Sequence, residues 1–109
     1  MNSSNREWIL GFDDRGTHEI EVPEWGVIVK IRPLDLRTSL DLASAVDTEL
    51  RIVQTVIAGV VNDDGTAMFT ADDSAKLSQK HPAALIRLST AIAQASIVTK
   101  EKVEDAVKN

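Results

Sequence analysis

Leu50-Arg51-Ile52-Val53-Gln54-Thr55-Val56-Ile57-Ala58-Gly59-Val60-Val61 leaves only a narrow polar stripe, at Arg51, Gln54, Thr55 and Ala58, beside an otherwise apolar surface. A helix with so little polar surface is buried on most sides, so this stretch reads as the central helix on which the rest packs. Asn62-Asp63-Asp64-Gly65 breaks it, and Met68-Phe69-Thr70 opens a second helix.

Toward the C-terminus, Thr70 is followed three residues later by Asp73, the spacing in which a hydroxyl and a carboxylate satisfy each other's orphan amides. Asp72 and Asp73 also favour the positive end of the helix dipole, which predicts a short helix over residues 71–79. His81-Pro82 stops it and starts another, because proline suits a first helical turn. Leu85, Leu88, Ile92 and Ala95 then share a face, with Ile86, Ala93 and Ile97 beside it and Arg87, Thr90 and Gln94 opposite. Residues 99–109 have helix propensity but few apolar anchors, and read as a loosely attached helical tail.

Toward the N-terminus, Asp35 is placed to cap a helix carrying Leu36, Leu40, Ala43 and Val46 on one face. Asp47 or Thr48 could cap the central helix. Nothing between Ala45 and Glu49 forbids one continuous helix over residues 36–61, so both arrangements stay open. Before Pro33, Ile20 and Val22 alternate with Glu19 and Glu21, and Trp25, Val27, Val29 and Ile31 form a second alternating set. Both runs are rich in β-branched residues, and Pro23-Glu24 interrupts any ladder between them, which predicts a hairpin. Its outer face would carry Glu19, Glu21, Lys30 and Arg32. Trp8, Leu10 and Phe12 alternate as a further short strand, Asp13-Asp14-Arg15-Gly16 is turn chemistry, and residues 1–6 are a frayed polar lead.

The expectation is therefore an α+β fold: a small antiparallel hairpin or meander over residues 7–32, followed by a bundle of about four helices over residues 35–98. At 109 residues the chain reads as a single domain, 1–109. Its hydrophobic fraction of 43% is enough for one real core. A net charge of −5 repels phosphate backbones and argues against nucleic acid as a partner. There is no cysteine, hence no disulfide framework, thiolate nucleophile or cysteine-held metal. No signal-type or membrane-length apolar run occurs, so the protein is expected to remain where it is made, without a membrane partner.

Little in the sequence carries chemistry. An EF-hand loop with Gly65 at its glycine position would begin at Val60, which has no oxygen to offer, so Asn62 to Gly65 reads as a helix-ending turn. His18 and His81 have no second ligand at metal-binding spacing and read as a strand residue and a cap. The serines fall inside predicted helices without a nucleophile elbow, and no glycine-rich phosphate loop is present. No enzyme activity and no cofactor are expected. Of the aromatic residues, Trp25 and Phe69 read as core, whereas Trp8 and Phe12 are candidate anchors for a partner. Leu85, Ile86 and Ile97 are further partner-binding candidates, because the last helix carries more apolar positions than one core can take up.

The order of features resembles a known family. A Pro23-Glu24-Trp25-Gly26 turn leads into Val27-Ile28-Val29-Lys30-Ile31-Arg32-Pro33-Leu34, then a Leu/Ala helix. Val56-Ile57-Ala58-Gly59-Val60-Val61-Asn62-Asp63-Asp64-Gly65-Thr66-Ala67-Met68-Phe69-Thr70 follows, then an acidic helix start and Pro82-Ala83-Ala84-Leu85-Ile86-Arg87-Leu88. Together these resemble the tail assembly chaperones of long-tailed bacteriophages, over residues 25–97. The resemblance implies a non-catalytic viral protein of the host cytoplasm that binds the tape measure protein, promotes assembly of tail tube subunits around it, self-associates, and is absent from the mature virion. It also implies contact with the tail tube protein through a frameshift-extended form. A structural tail-completion or connector protein, or an acidic regulatory binding module, is the alternative.

Overall fold

Pro23 cannot donate to a ladder, and Gly26 takes the left-handed conformation (φ 66°), so the chain reverses between them. The Trp25 amide donates to the Val22 carbonyl (3.0 Å) and the Gly26 amide to that of Pro23 (3.2 Å). The turn joins β1, His18–Val22, to β2, Val27–Ile31, in an antiparallel register that sets Ile20 against Val29 and Glu19 against Lys30. Val22, Val29 and Ile31 are buried, while Glu19, Glu21 and Ile28 face solvent. The expected hairpin is present with the expected faces.

This is a computed structural model that describes residues 3–11 and 15–96. Its elements are α1, Ser3–Gly11; β1 and β2; α2, Leu36–Ala43; α3, Thr48–Gly59; β3, Val60–Val61; a 3₁₀ turn, Ala71–Asp73, running into α4, Ser74–Leu77; and α5, Pro82–Ser96. The fold is α+β, a three-stranded antiparallel sheet in the order β1-β2-β3 with helices packed against it.

Two expectations about the N-terminal half are corrected. Trp8 and Leu10 lie on a helix, not a strand, and Ser3 to Arg6 belong to that helix rather than to a frayed lead. Arg6, Glu7 and Leu10 are good helix formers, and one short alternating run is too weak a strand signal to override them. Phe12, Asp13 and Asp14 lie outside the described residues, as do Ile97, Val98 and the predicted tail at 99–109. The second correction is that α3 ends at Gly59. Val60 turns extended (φ −87°, ψ 129°), and the β-branched pair Val60-Val61 leaves the helix to hydrogen-bond along β2, Val60 opposite Ile31 and Val61 opposite Lys30. A third strand thus comes from inside the region expected to be wholly helical.

The turn that follows is built as its residues demand. Gly65 has φ 87°, Asn62 donates its amide to the Thr66 carbonyl (2.8 Å), and Asp64 Oδ1 accepts from the Thr66 amide (2.9 Å) and hydroxyl (2.6 Å). The Met68 amide then returns to the Val60 carbonyl (3.2 Å). Residues 36–61 are accordingly two helices and a strand. Asp35 accepts from the Thr38 amide (2.8 Å) to cap α2, and Asp47 accepts from the Leu50 amide (3.0 Å) to cap α3. At Thr70 the predicted capping box is present: its backbone N–H donates to Asp73 Oδ2 (2.9 Å), and the Asp73 amide turns back to the Thr70 side chain.

The core is a cluster of Val22, Val29 and Ile31 from the sheet, Val53, Val56 and Val60 from α3 and its exit, Leu77 from α4, and Ala84, Leu85, Leu88 and Ile92 from α5. Trp25, Ile57 and Phe69 are half-buried against it. Each fully buried Leu or Ile contributes about 1.5–3 kcal/mol of transfer free energy. The crossing of α3 and α5 is close because Gly59 has no side chain: a Cβ there would stand 2.6 Å from two carbons of Ile92. Thr55, expected on the polar stripe, is buried, and its hydroxyl donates to the Arg51 carbonyl (2.7 Å), which satisfies it inside its own helix. Away from the core, Arg87 of α5 grips Glu24 of the hairpin turn in a bidentate pair (3.1 and 2.9 Å). The Leu34 amide donates to Ser96 Oγ (2.7 Å), tying the exit of the sheet to the end of α5.

Candidate docking groove

α3 and α5 bury the sides that face the sheet and leave a solvent-facing seam between them. At one end a hollow of about 360 Å³ has Ile52, Val53, Leu85 and Ile86 as its apolar lining, with Glu49 and Lys80 at the rim. Ile52 and Ile86 also line the next hollow along the seam, which continues to Ala93. Ala93, Arg51 and Thr55 are shared with a third hollow, bounded by Leu34, Leu42 and Ala43. The three hollows share walls and form one shallow apolar groove running from α4 to α2.

Val53 and Leu85 form its floor and are buried, so they belong to the core as much as to the groove. Ile86 differs, standing half out of the protein at 50% exposure. Of the partner-binding candidates, Leu85 and Ile86 are brought together in this groove, Trp8 is exposed on α1, and Phe12 and Ile97 lie outside the described residues. Ile52 was not singled out from sequence as a partner-binding residue; its signal was the surplus of apolar positions on α3, which the central-helix reading assigned wholly to the core.

Charge in and around the site is simple. The Arg87 guanidinium holds the Glu24 carboxyl below its ordinary range, and Glu24 raises Arg87 in return. The backbone amide of Thr38 lowers Asp35, and the Thr66 hydroxyl lowers Asp64. Each of these carboxylates is occupied with capping, a turn or an ion pair. His81 Nδ1 accepts from the Ala83 amide (3.1 Å), the capping part expected of it, and His18 is exposed on β1. Among the described residues no group of three or more His, Cys, Asp or Glu side chains could hold a metal ion, and no helix is long and apolar enough to cross a membrane. What the groove can do is bind: it offers apolar patches at Ile52, Leu85, Ile86 and Ala93 with Arg51 and several hydroxyls between them, a surface that an amphipathic helix can cover.

The chain is similar in fold to the bacteriophage HK97 tail assembly chaperone. The two superpose with a TM-score of 0.61, over 89% of this chain and 99% of the HK97 chaperone, at 19% sequence identity. At that identity the likeness to the HK97 chaperone is one of fold. No family model matches the chain, and no curated protein matches it in sequence.

Proposed function

We propose that the chain is a non-catalytic tail assembly chaperone of a long-tailed bacteriophage, working in the cytoplasm of the bacterial host and leaving before the virion is complete. The observation that carries this reading is the fold likeness to the HK97 chaperone along almost the whole chain. The groove between α3 and α5 agrees with it. Its client is the tape measure protein, whose helical segments would lay apolar residues spaced i, i+3, i+4 and i+7 over Ile52, Ile86 and Ala93. Many copies along one long client engage with avidity although each contact is weak. Contact with the tail tube protein belongs to a frameshift-extended form of the chain. Neither nucleic acid nor a membrane surface takes part.

The test is co-expression with the tape measure protein, which should be insoluble alone and soluble with this chain. Ile86→Asp should abolish the rescue while leaving the thermal melt of the purified chain unchanged, because the side chain is half exposed. Failure of the wild-type chain to solubilise that client, or its presence in purified virions, would overturn the reading in favour of a structural tail-completion or connector protein.

A further inference from the structure

The Arg51 side chain does little for the chain on its own. It belongs to the first turn of α3, near the positive end of that helix, where an anion is favoured and a cation works against the dipole. It is exposed. Lys30 and Arg87 each meet a carboxylate, Asp63 and Glu24, whereas the Arg51 guanidinium has no hydrogen-bond or ion-pair partner among the described residues. Asp47, one turn back, is engaged with the Leu50 amide (3.0 Å). Arg51 nevertheless has a definite place. It lines the two adjoining hollows of the groove and is the charged residue of each, the other walls there being apolar or hydroxyl-bearing. It separates the apolar patch of Ile52 and Ile86 from that of Leu34 and Leu42. A residue that breaks a local rule without gain to the fold marks a functional position.

We propose that Arg51 selects the occupant of the groove: an amphipathic helix whose apolar stripe is interrupted, midway between two anchors, by a carboxylate. This rests on the groove being the client site and names what the client must carry there. Ile86 and Ala93 stand one heptad apart on α5, about 10 Å along its axis, so the anchors above them are residues i and i+7 of the client. Between them, i+3 and i+4 face the same way, and Arg51 opposes one of the two. An aspartate or glutamate there meets both the guanidinium and the positive end of α3. A lysine meets both as like charges, and a leucine covers the guanidinium without giving it a partner. At long range the net charge of −5 acts the other way, drawing basic segments. A preference for acidic ones therefore comes from the local contact.

The probe is a pair of helical peptides of about 18 residues, about 27 Å long. Each carries one leucine stripe, interrupted at i+3 and i+4 of the central heptad by glutamates in one peptide and by lysines in the other. The two residues have similar helix propensity, so the peptides differ in charge rather than in fold. Fluorescence anisotropy with the full chain should show the glutamate peptide binding at least about threefold tighter, a preference that shrinks as salt rises. Arg51→Glu should reverse the order. Arg37→Glu makes the same change of net charge at an exposed position outside the groove and should keep it. Arg51→Gln should not lower the thermal midpoint, and Ile86→Asp should weaken both peptides. Equal binding of the two peptides, or a preference that survives Arg51→Glu, would overturn the proposal, and the groove would still stand as the client site if Ile86→Asp weakened both. Binding of neither peptide, or binding indifferent to Ile86→Asp, would overturn the groove and the proposal together. A midpoint lowered by Arg51→Gln would show that Arg51 serves the fold instead.

Discussion

Gly59→Ala tests the packing that makes the fold possible. The new methyl would stand 2.6, 2.6 and 2.8 Å from Cδ1, Cγ2 and Cγ1 of Ile92, where carbon pairs rest at about 3.5–4.0 Å. The overlap is therefore about 1 Å, against a branched side chain that is fully buried. Forcing an extra methyl into a packed core costs about 1–3 kcal/mol, and an overlap this large against a fully buried side chain falls in the upper part of that range, about 2–3 kcal/mol. Alanine recovers at most about 1 kcal/mol through its better helix propensity, and Gly59 is not among the glycines with positive φ, so backbone strain does not enter. The net expectation is a loss of about 1–2 kcal/mol, visible as a lower urea midpoint with an unchanged slope. Ile92→Ala removes all three clashing carbons and should itself cost about 2–5 kcal/mol. Combined with Gly59→Ala, it should cost less than the sum by at least about 0.5 kcal/mol, because one change relieves the other. A Gly59→Ala chain as stable as wild type, or costs that simply add, would refute the close crossing of α3 and α5.

Asp47→Ala removes the side chain that accepts from the Leu50 amide and should destabilise the chain by about 1 kcal/mol in thermal or urea unfolding. Val56→Asp places an unpaired charge at a site with no exposure and should unfold the chain, whereas Arg51→Ala, on an exposed position, should change stability by less than about 1 kcal/mol. The lowered carboxyls of Glu24, Asp35 and Asp64 make stability depend on pH with a definite sign. Their contribution is complete above the ordinary values of 4.5 for Glu and 3.8 for Asp and is lost as pH falls through the lower folded-state values. Urea midpoints should be flat down to about pH 5 and decline below it, and Glu24→Gln should make that decline shallower.

The sequence by itself determined the elements whose signal is local. Pro23 and Gly26 set the hairpin reversal, Asp35, Thr70 and His81 marked helix starts, and Asn62 to Gly65 marked a turn, because a cap or a positive φ depends on residues within one turn of chain. The alternation of Glu19, Glu21 and Lys30 with Ile20, Val22 and Ile31 was legible for the same reason, a strand's two faces being written at period two. Tertiary structure decided what periodicity leaves open. An apolar stripe says that a face wants cover, not which neighbour supplies it: the stripe of Leu36, Leu40 and Ala43 looks toward solvent, and Leu42 holds α2 to the core. Val60 and Val61 continue a helical pattern in sequence, yet the unpaired edge of β2 draws them into the sheet. The docking groove belongs to this second class, because Ile52 of α3 and Ile86 of α5 become neighbours only when Gly59 lets the two helices approach.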